Sequence, residues 1–480
     1  MAFYLRLQND TETADFLGDE FLLTDGGLQV DAPESRDIWG GDSVYAHGAQ
    51  LISSKFGTRT FKITFSVFGD TRDSLLGNIA LLDRLIDAAR RRSIEESGSR
   101  VELVYAWEST SRKSYFEVLS GTLIWPENVM SVEQVHQQTD QGWVIYDMEL
   151  SLIVNPFSTP VSPVSGVPYP VTISNDTGAG ESIFVQNDGV GNWIDIPGEV
   201  LQSSFPLFTS ISMQSDSGEA EKTSKVYIGV RKGNKDFVSF LDDKSAAHVI
   251  TGATQIADAD YSAGGTYTQL PFSGVAEQVL IRWDLSDEQI EATQGAFRLF
   301  GRCKDNTYWS PDANYAIGVY YQDTLLHKTE WRAPIESDVT LFDFGTVFLP
   351  PWLGSMEGLA GLSIAILGMR KLAGSTTINL DYLSLLPQDG GYRVLNFRGG
   401  GMGQFEYLVD DSWSGVTYHV NLAGKKSGLP YGLMEPITLQ PKTGQRLYFL
   451  MEGTAGSTEI SRKLKVSLGV VPTYMVLACY

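Results

Sequence analysis

Cysteine and histidine are scarce in this sequence, and the few present are scattered. The two cysteines, Cys303 and Cys479, lie far apart in a chain of 480 residues. Neither a disulfide framework nor a Cys-x-x-Cys metal site can be built from such a pair. The five histidines also stand singly, without a second His, Cys or helical Glu at the spacing of metal ligands. We therefore predict no transition-metal site, assign no metal while leaving calcium open, and expect a fold that depends on packing for its stability.

The sequence also lacks the motifs that accompany common enzymatic chemistry. It contains no Gly-x-Ser-x-Gly elbow, no phosphate-binding loop ending in Gly-Lys-Ser or Gly-Lys-Thr, and no strand-linked Gly-x-Gly-x-x-Gly fingerprint. Glycoside hydrolysis needs two neighbouring carboxylates, but the 58 Asp and Glu residues offer candidates everywhere and single out none. We predict a protein that is not an enzyme, with no catalytic residue and no cofactor.

Positive charge and long apolar runs are in short supply as well. Only 36 Lys and Arg stand against 58 Asp and Glu, which gives a formal net charge of −22. Phosphate recognition requires clustered Lys and Arg, so this balance argues against a surface that binds nucleic acid. No apolar run approaches the length of a membrane span, and Met1–Arg6 does not begin a signal peptide. We predict no membrane partner and synthesis in a cytoplasm.

The sequence is rich in aromatic residues, which favour β-strands, and in glycines, which favour the turns between them. It has 48 Gly, 21 Tyr, 23 Phe and 10 Trp, and many short runs in which apolar and polar residues alternate. We predict an all-β fold of mainly antiparallel sandwiches with one prominent helix. The chain is too long for a single core.

Composition and turn signals divide the chain into three predicted parts. Residues 1–157 form a β-domain that contains the helix, and a stiff spacer with five prolines follows it. Residues 158–390, with many short strands, form a jelly-roll domain that resembles carbohydrate-binding modules. Residues 391–480 form a β-segment that is either a separate domain or a set of strands returning to an earlier one.

Residues 60–157 carry the clearest pattern. In Thr60–Phe68 apolar residues occupy every second position, as in a strand with one buried face. Apolar residues at steps of three and four then predict an amphipathic helix over about residues 72–92. Alternating strands follow, and the last of them ends at Asn155-Pro156-Phe157.

This order of elements, with the basic helix end Arg90–Arg92, the strand Gly121–Trp125 and the final Asn155-Pro156-Phe157, resembles a known domain. It is similar to the N-terminal ring-forming domain of the distal tail proteins of long-tailed, siphovirus-like bacteriophages. The resemblance covers about a third of the 480 residues. It implies a structural virion protein of the phage tail tip, assembled in the host cytoplasm.

The resemblance further implies a homo-hexameric ring. Such a ring would join the tail tube protein to the tail hub or tip protein that recognises the host, and it would leave a channel for DNA. DNA would then be a passing cargo, and an acidic wall would let a duplex slide without sticking. The surplus of acid could equally serve solubility alone.

In such a ring, sheet edges of one subunit find partners in the next until the rotation closes. We predict subunit contacts in an arm around Phe21–Val30 and in two strands of the β-domain. For residues 31–50 we favour a surface loop over an arm that reaches a neighbour. The predicted interface residues are Phe21, Val30, Phe61, Ile63, Phe65, Val144 and Tyr146.

Aromatic residues of the jelly-roll segment suggest a second kind of contact. Exposed rings can stack on sugars, and we predict Trp309, Trp331 and Trp352 as candidates for contact with a host surface glycan. Core packing is the commoner role of such residues, and Trp309 is the best candidate for exposure. Two alternatives stay open: a carbohydrate-binding β-sandwich adhesin without a ring, and a glycan-degrading tail enzyme with two carboxylates in an aromatic-lined cleft.

Overall fold

A computed structural model of the chain falls into two compact units. The first comprises Met1–Pro168, Ser203–Pro206 and Val471–Tyr480, and the second comprises Tyr169–Gln202 and Leu207–Val470. The residues described are 3–39, 51–95, 98–107, 113–126, 137–138, 142–189, 191–216, 222–232, 240–259, 262–292, 295–304, 309–334, 341–349, 361–388, 390–397, 401–427, 431–433, 436–453 and 462–475.

The first unit is an antiparallel sheet with one long helix. Its strands lie in the order β2-β1-β7-β8-β10-β6-β3, with β9 beside β10, while β4 and β5 form a separate two-stranded ribbon. The elements are β1 (Phe3–Gln8), β2 (Thr13–Asp15), β3 (Phe21–Val30), β4 (Ser35–Trp39), β5 (Leu51–Phe56), β6 (Arg59–Gly69), α1 (Arg72–Glu95), β7 (Glu102–Trp107), β8 (Ser114–Ile124), β9 (Gln137–Gln138) and β10 (Gly142–Val154).

Helix α1 forms where the apolar spacing predicts it. Thr71 caps its start, because the Ser74 N–H donates to Thr71 Oγ1 at 3.1 Å and the Thr71 N–H donates to Ser74 Oγ at 3.0 Å. Its apolar stripe belongs to the same buried core as the inward side chains of β1, β3, β6 and β10. Close approach to β8 requires glycine at position 121, where a Cβ would lie 3.2 Å from Ile86 Cγ1.

The two outer strands of this sheet are linked by a short stretch of chain. The Phe16 N–H donates to the Leu5 carbonyl at 3.0 Å, and the Leu23 N–H donates to the Phe16 carbonyl at 2.8 Å. A further bridge joins Leu17 to Leu22. The sheet therefore closes on itself at this point, and backbone groups of β3 find partners within the same chain.

The second unit contains a sandwich built from two separated stretches of sequence. One sheet has the order β11-β36-β16-β30-β31-β32, with β14 on β36 and β34 on β16, and the other has the order β13-β12-β15-β35-β17-β29-β33. The first stretch supplies β11 (Tyr169–Val171), β12 (Ile173–Asn175), β13 (Gly178–Gly180), β14 (Ser182–Gln186), β15 (Trp193–Ile196), β16 (Phe205–Ser215) and β17 (Thr223–Lys232). The second supplies β29 (Gly391–Asn396), β30 (Tyr407–Asp411), β31 (Val416–Val420), β32 (Lys426–Ser427), β33 (Tyr431–Leu433), β34 (Thr438–Leu439), β35 (Gln445–Gly453) and β36 (Lys463–Thr473).

A jelly roll lies between those two stretches of sequence. Strands β21, β28, β23 and β26 are neighbours in one sheet and β22, β27, β24 and β25 in the other, around one shared core. Its elements are β18 (Phe240–Leu241), β19 (His248–Val249), β20 (Thr254–Ala257), β21 (Thr266–Ser273), β22 (Gln278–Asp284), α2 (Asp287–Ala292), β23 (Gly295–Cys303), β24 (Ala313–Tyr321), β25 (Thr324–Lys328), β26 (Leu341–Leu349), β27 (Leu362–Arg370) and β28 (Ser375–Pro387). From β21 to β28 the chain alternates between the sheets except at the β24–β25 hairpin, which is jelly-roll topology.

These observations confirm the predicted all-β class, the prominent helix and the jelly roll. The jelly-roll strands run only from Phe240 to Pro387, whereas β11–β17 pair with strands that follow residue 390. Whether the three predicted segments are the folding units of the chain stays a prediction. No helix in the described residues is long and apolar enough to cross a membrane.

A second buried cluster connects the sandwich to the jelly roll within the second unit. Trp193, Tyr227 and Tyr448 of the sandwich and Phe300 and Tyr382 of the jelly roll belong to it. The rings of Tyr227 and Phe300 are 4.6 Å apart between centroids. Strands β17 and β35 are thus buried on both faces, one against the core of the sandwich and one against the jelly roll.

A buried ionic group lies beside this cluster. Arg302 donates a hydrogen bond to the carboxylate of Asp381, which also accepts the Ala263 N–H at 2.9 Å, and Lys244 Nζ lies 4.0 Å away. Burial raises the pKa of Asp381, while Arg302 and Lys244 act in the opposite direction. Burial also lowers the pKa of Lys244. These charges are enclosed, with 9% of the Arg302 side chain and none of the Asp381 side chain exposed.

Candidate interaction surfaces

The described residues hold no cluster of metal-ligating side chains. They contain no group of three or more His, Cys, Asp or Glu side chains that could hold an ion. Cys303 is completely buried, and burial raises the pKa of its thiol well above the usual value. A buried thiol with a raised pKa is a weak nucleophile.

Four of the seven predicted interface residues belong to the core of the first unit, and a fifth is buried elsewhere. Phe21, Phe61, Ile63 and Phe65 are fully buried in the cluster that includes the apolar face of α1, and Val144 is 5% exposed but does not belong to that cluster. Within one chain the four core side chains are enclosed by their own domain, and their role in subunit contact stays a prediction. The apolar positions of an alternating strand identified the face that packs inside the domain.

Two predicted interface residues do have access to solvent. Val30 is half-buried at the end of β3, and Tyr146 is 47% exposed. Tyr146 and Asp147 form a β-bulge opposite Ser66, between the pairs Ile145–Val67 and Met148–Phe65. Asp147 adopts a positive φ of 56°, which lets β10 bend and turns Tyr146 outward.

The outer face of the first sheet carries several exposed apolar side chains. Leu22 is 50% exposed, Ile124 45% and Ile153 40%. In register, Leu22 is opposite Ser66, Ile124 is opposite Glu149, and Ile153 is opposite both Thr60 and Ser120. With Tyr146 these residues define the outer sheet face, an apolar set on β3, β8 and β10 that α1 does not cover.

Strands β4 and β5 extend the hairpin formed by β3 and β6. Ser35 is opposite Phe56 and Trp39 is opposite Leu51, so Ser35–Trp39, within the loop predicted for residues 31–50, forms a two-stranded ribbon with β5, and residues 40–50 lie outside the described residues. Phe56 at its base contacts Phe157 of the predicted Asn-Pro-Phe motif at 5.6 Å between ring centroids. An extended ribbon of this kind can reach a neighbour.

The predicted glycan-stacking tryptophans lie in different environments. Trp309 is 1% exposed, its Nε1 donates to the Gly301 carbonyl at 3.2 Å, and it packs against Tyr315. The prediction that Trp309 is exposed is wrong, because its ring is a central part of the jelly-roll core. Trp331 is half-buried, with Lys328 Nζ 5.1 Å from the ring centroid. Trp352 lies outside the described residues.

The sandwich has a surface groove that sequence reasoning missed. Its volume is about 400 Å³, and it lies on the outer face of the sheet in which β14, β36, β16 and β30 are neighbours. The polar positions that alternate with buried residues along β16 and β36 are its signal in sequence, but pairing between strands so far apart in the chain cannot be seen there. The lining residues are Glu181, Ser182, Ser212, Gln214, Tyr407, Lys465 and Ser467.

Fold and surfaces together define a class: an all-β protein with a helix-covered sheet and two sandwiches. No protein-family model matches the chain, and no curated protein matches it.

Among solved structures the chain is similar to phage hub and baseplate proteins. One is "SPP1 Dit (gp 19.1) Protein, a Paradigm of Hub Adsorption Apparatus in Gram-positive Infecting Phages", with 9% identity, a TM-score of 0.28, and coverage of 99% of this chain and 100% of that chain. Another is the phage p2 baseplate in its activated conformation with Sr, with 7% identity, a TM-score of 0.29, and coverage of 97% and 98%. The same baseplate with Ca gives 9% identity, a TM-score of 0.26, and coverage of 97% and 98%. These TM-scores are too low to carry an inference about function.

Proposed function

We propose that the chain is a structural protein of a phage tail tip. Copies of its first unit associate into a homo-hexameric ring that joins the tail tube protein to the hub or tip protein and leaves a channel for DNA. The observation that carries the proposal is the outer sheet face, where Leu22, Ile124, Tyr146 and Ile153 remain exposed although the same sheet has already filled a complete core on its other side.

Such an arrangement suits contact between copies. Single exposed apolar side chains are ordinary, but several on one rigid sheet face indicate a surface that another molecule covers. The β4–β5 ribbon gives each subunit a means of reaching past its own boundary. A heterologous contact of face and ribbon repeats from subunit to subunit and closes as a ring when the rotation permits.

The overall charge agrees with this role. A protein with a formal net charge of −22 offers DNA no adhesive surface, so a duplex would pass through the lumen as cargo without binding. The proposed partners are further copies of the chain, the tail tube protein and the hub protein, and the proposed location is the virion. Assembly in the host cytoplasm belongs to the same proposal.

Electron microscopy of the purified chain in negative stain, together with mass photometry, tests the proposal. We expect annuli with sixfold symmetry and a central pore, and a mass six times that of the chain. Monomers at every concentration examined, or open chains without a pore, would contradict it.

A carbohydrate-binding adhesin is the second candidate, and the groove on the sandwich is the observation that favours it. The third reading, a glycan-degrading enzyme, gains no such support. Of the described residues that line the groove, Glu181 is the only carboxylate, whereas both hydrolytic mechanisms use a pair.

A further inference from the structure

The proposed ring assigns no role to the groove on the outer face of the sandwich. We propose that it binds a neutral oligosaccharide, and that this site, rather than the tryptophans of the jelly roll, is the glycan-binding surface of the chain. The proposal is independent of whether copies form a ring, because every lining residue belongs to the second unit of one chain.

The walls of the groove provide the hydrogen-bonding groups that sugars require. Ser182, Ser212 and Ser467 present hydroxyls, each of which can donate and accept, and Gln214 presents an amide. Ser182 is directly opposite Ser467 in the pairing of β14 with β36. Because these side chains alternate with fully buried ones such as Val466, rigid strands hold the hydroxyls in place.

Aromatic rings stand at both sides of this polar floor. Tyr407 on β30 is 38% exposed and lies opposite Gln214, and Phe184 on β14 is 45% exposed and lies opposite Lys465. Since β14 and β30 are separated by three strand spacings, the two rings lie roughly 14 Å apart across the sheet. This spacing leaves room for several sugar rings, whose apolar faces can pack on the aromatic side chains.

A backbone feature at the rim supports a binding role. Phe405 adopts a positive φ of 63° and exposes 55% of its surface, a conformation that is uncommon for residues other than glycine. It is held there by hydrogen bonds: its N–H donates to the Ser215 carbonyl at 2.8 Å, and Gln214 Nε2 donates to its carbonyl at 3.4 Å. Strained backbone is retained preferentially at ligand sites, and here it is coupled to a residue of the groove wall.

Charge selects the class of glycan. One cation, Lys465, and one carboxylate, Glu181, line the groove, so their formal charges cancel. The rest of the protein is strongly acidic and repels polymers that carry uronates or phosphates. A neutral polysaccharide is not repelled electrostatically, and its binding should depend little on salt concentration.

A glycan array that displays neutral bacterial surface polysaccharides beside uronate- and phosphate-containing ones tests the proposal on the full chain. The neutral glycan with the strongest signal is then titrated by calorimetry against four proteins: the wild type, Tyr407→Ala, Ser467→Trp and Trp331→Ala. Ser467→Trp fills the groove from a surface position, so it serves if Tyr407→Ala does not fold. Thermal unfolding of each variant establishes that the fold is intact.

We expect binding to neutral glycans, a loss of affinity of at least about tenfold in Tyr407→Ala and Ser467→Trp, and unchanged affinity in Trp331→Ala. Four results would overturn the proposal. They are the absence of binding to any glycan, a preference for the anionic ones, wild-type affinity in the folded Ser467→Trp variant, and loss of binding in Trp331→Ala alone, which would place the site on the jelly roll.

Discussion

At the scale of single residues, burial determines what an aromatic side chain can do. The ring of Trp309 is enclosed by Tyr315, Phe342 and Phe344, with centroids 4.8, 5.2 and 5.3 Å away. Its polar neighbours in sequence indicated a turn, and the rest of the core that encloses it comes from distant strands. Sequence therefore identifies the aromatic residue but not its side of the sheet.

Trp309→Ala tests this assignment to the core. The substitution removes a fully buried ring and a hydrogen bond to the Gly301 carbonyl, so we expect a loss of about 3–5 kcal/mol in the free energy of unfolding. Urea denaturation followed by circular dichroism measures it. Trp331→Ala, which truncates a half-buried ring, is the matched control and should cost less than half as much. Equal costs would show that the jelly-roll core is not arranged around Trp309.

The buried pair Arg302 and Asp381 gives a second prediction at this scale. Among the described residues, Arg302→Leu leaves the enclosed carboxylate with Lys244, at 4.0 Å, as its counter-charge, and should cost about 3–5 kcal/mol. The double variant Arg302→Leu with Asp381→Leu removes the stranded charge and should recover part of that loss. Calorimetric unfolding measures the stability of the single and the double variant relative to the wild type. A double variant no more stable than the single one would contradict the pairing.

At the scale of single elements, the periodicity of apolar residues correctly predicts where a helix or strand lies and which of its faces is buried. The three- and four-residue steps predicted a helix over about 72–92, and α1 runs from Arg72 to Glu95. In β6 the alternation correctly separates Phe61, buried, from Lys62, exposed. Periodicity does not say what the buried face packs against, and the core-facing residues were therefore assigned to a subunit interface.

Leu82→Asp on α1 tests the core of the first unit. Leu82 is fully buried, so the substitution deletes an apolar contact and encloses an unpaired carboxylate, at a cost of at least about 4 kcal/mol. We expect loss of the folded first unit and of any ring. Size-exclusion chromatography with light scattering records the assembly, and Asp83→Asn on the exposed side of α1 should leave it unchanged. Unaltered oligomers of Leu82→Asp would refute the assignment of the core face.

Substitutions on the outer sheet face should have a different effect from those in the core, because they should disrupt assembly and leave folding intact. Ile124→Lys combined with Ile153→Lys places charges on exposed positions, so the midpoint of thermal unfolding should stay nearly the same while the oligomer dissociates. Leu326→Lys, at a position of similar exposure on β25, is the matched control and should not affect assembly. A double variant that assembles like the wild type would place the interface elsewhere.

At the scale of the whole molecule, the sequence left open whether residues 391–480 form a separate domain or return to an earlier one, and their strands pair with β11–β17. Strand β17 pairs with β29 and β35, both of which follow the jelly roll in sequence. The pattern of residues within one strand does not show which strand, far away in the sequence, it pairs with. One signal was present: β35 reads as a nearly continuous apolar run, Leu447–Met451, which is typical of a strand buried on both faces.

Excision of the jelly roll tests whether the sandwich is a folding unit. Val230 is directly opposite Gly391, so the chain ends left at Lys232 and Gly390 are close enough for a loop of about five polar residues. The core of the sandwich comes entirely from residues outside the excised segment, and we therefore expect cooperative unfolding in the shortened chain. Excision also uncovers Trp193, Tyr227, Tyr448 and Leu450, which should bind a hydrophobic dye and promote association.

A second shortened chain separates loss of folding from loss of solubility. Tyr227→Thr and Leu450→Thr change only side chains that face the jelly roll, since both belong to the cluster between the two sandwiches. We expect this variant to bind less dye, to unfold cooperatively, and to form rings of the same symmetry as the full chain in negative stain. If both shortened chains lack a cooperative transition, the strands on either side of the jelly roll depend on it for folding. The sandwich and the jelly roll would then be one folding unit, since the proposed independence of the sandwich requires its own core to be sufficient.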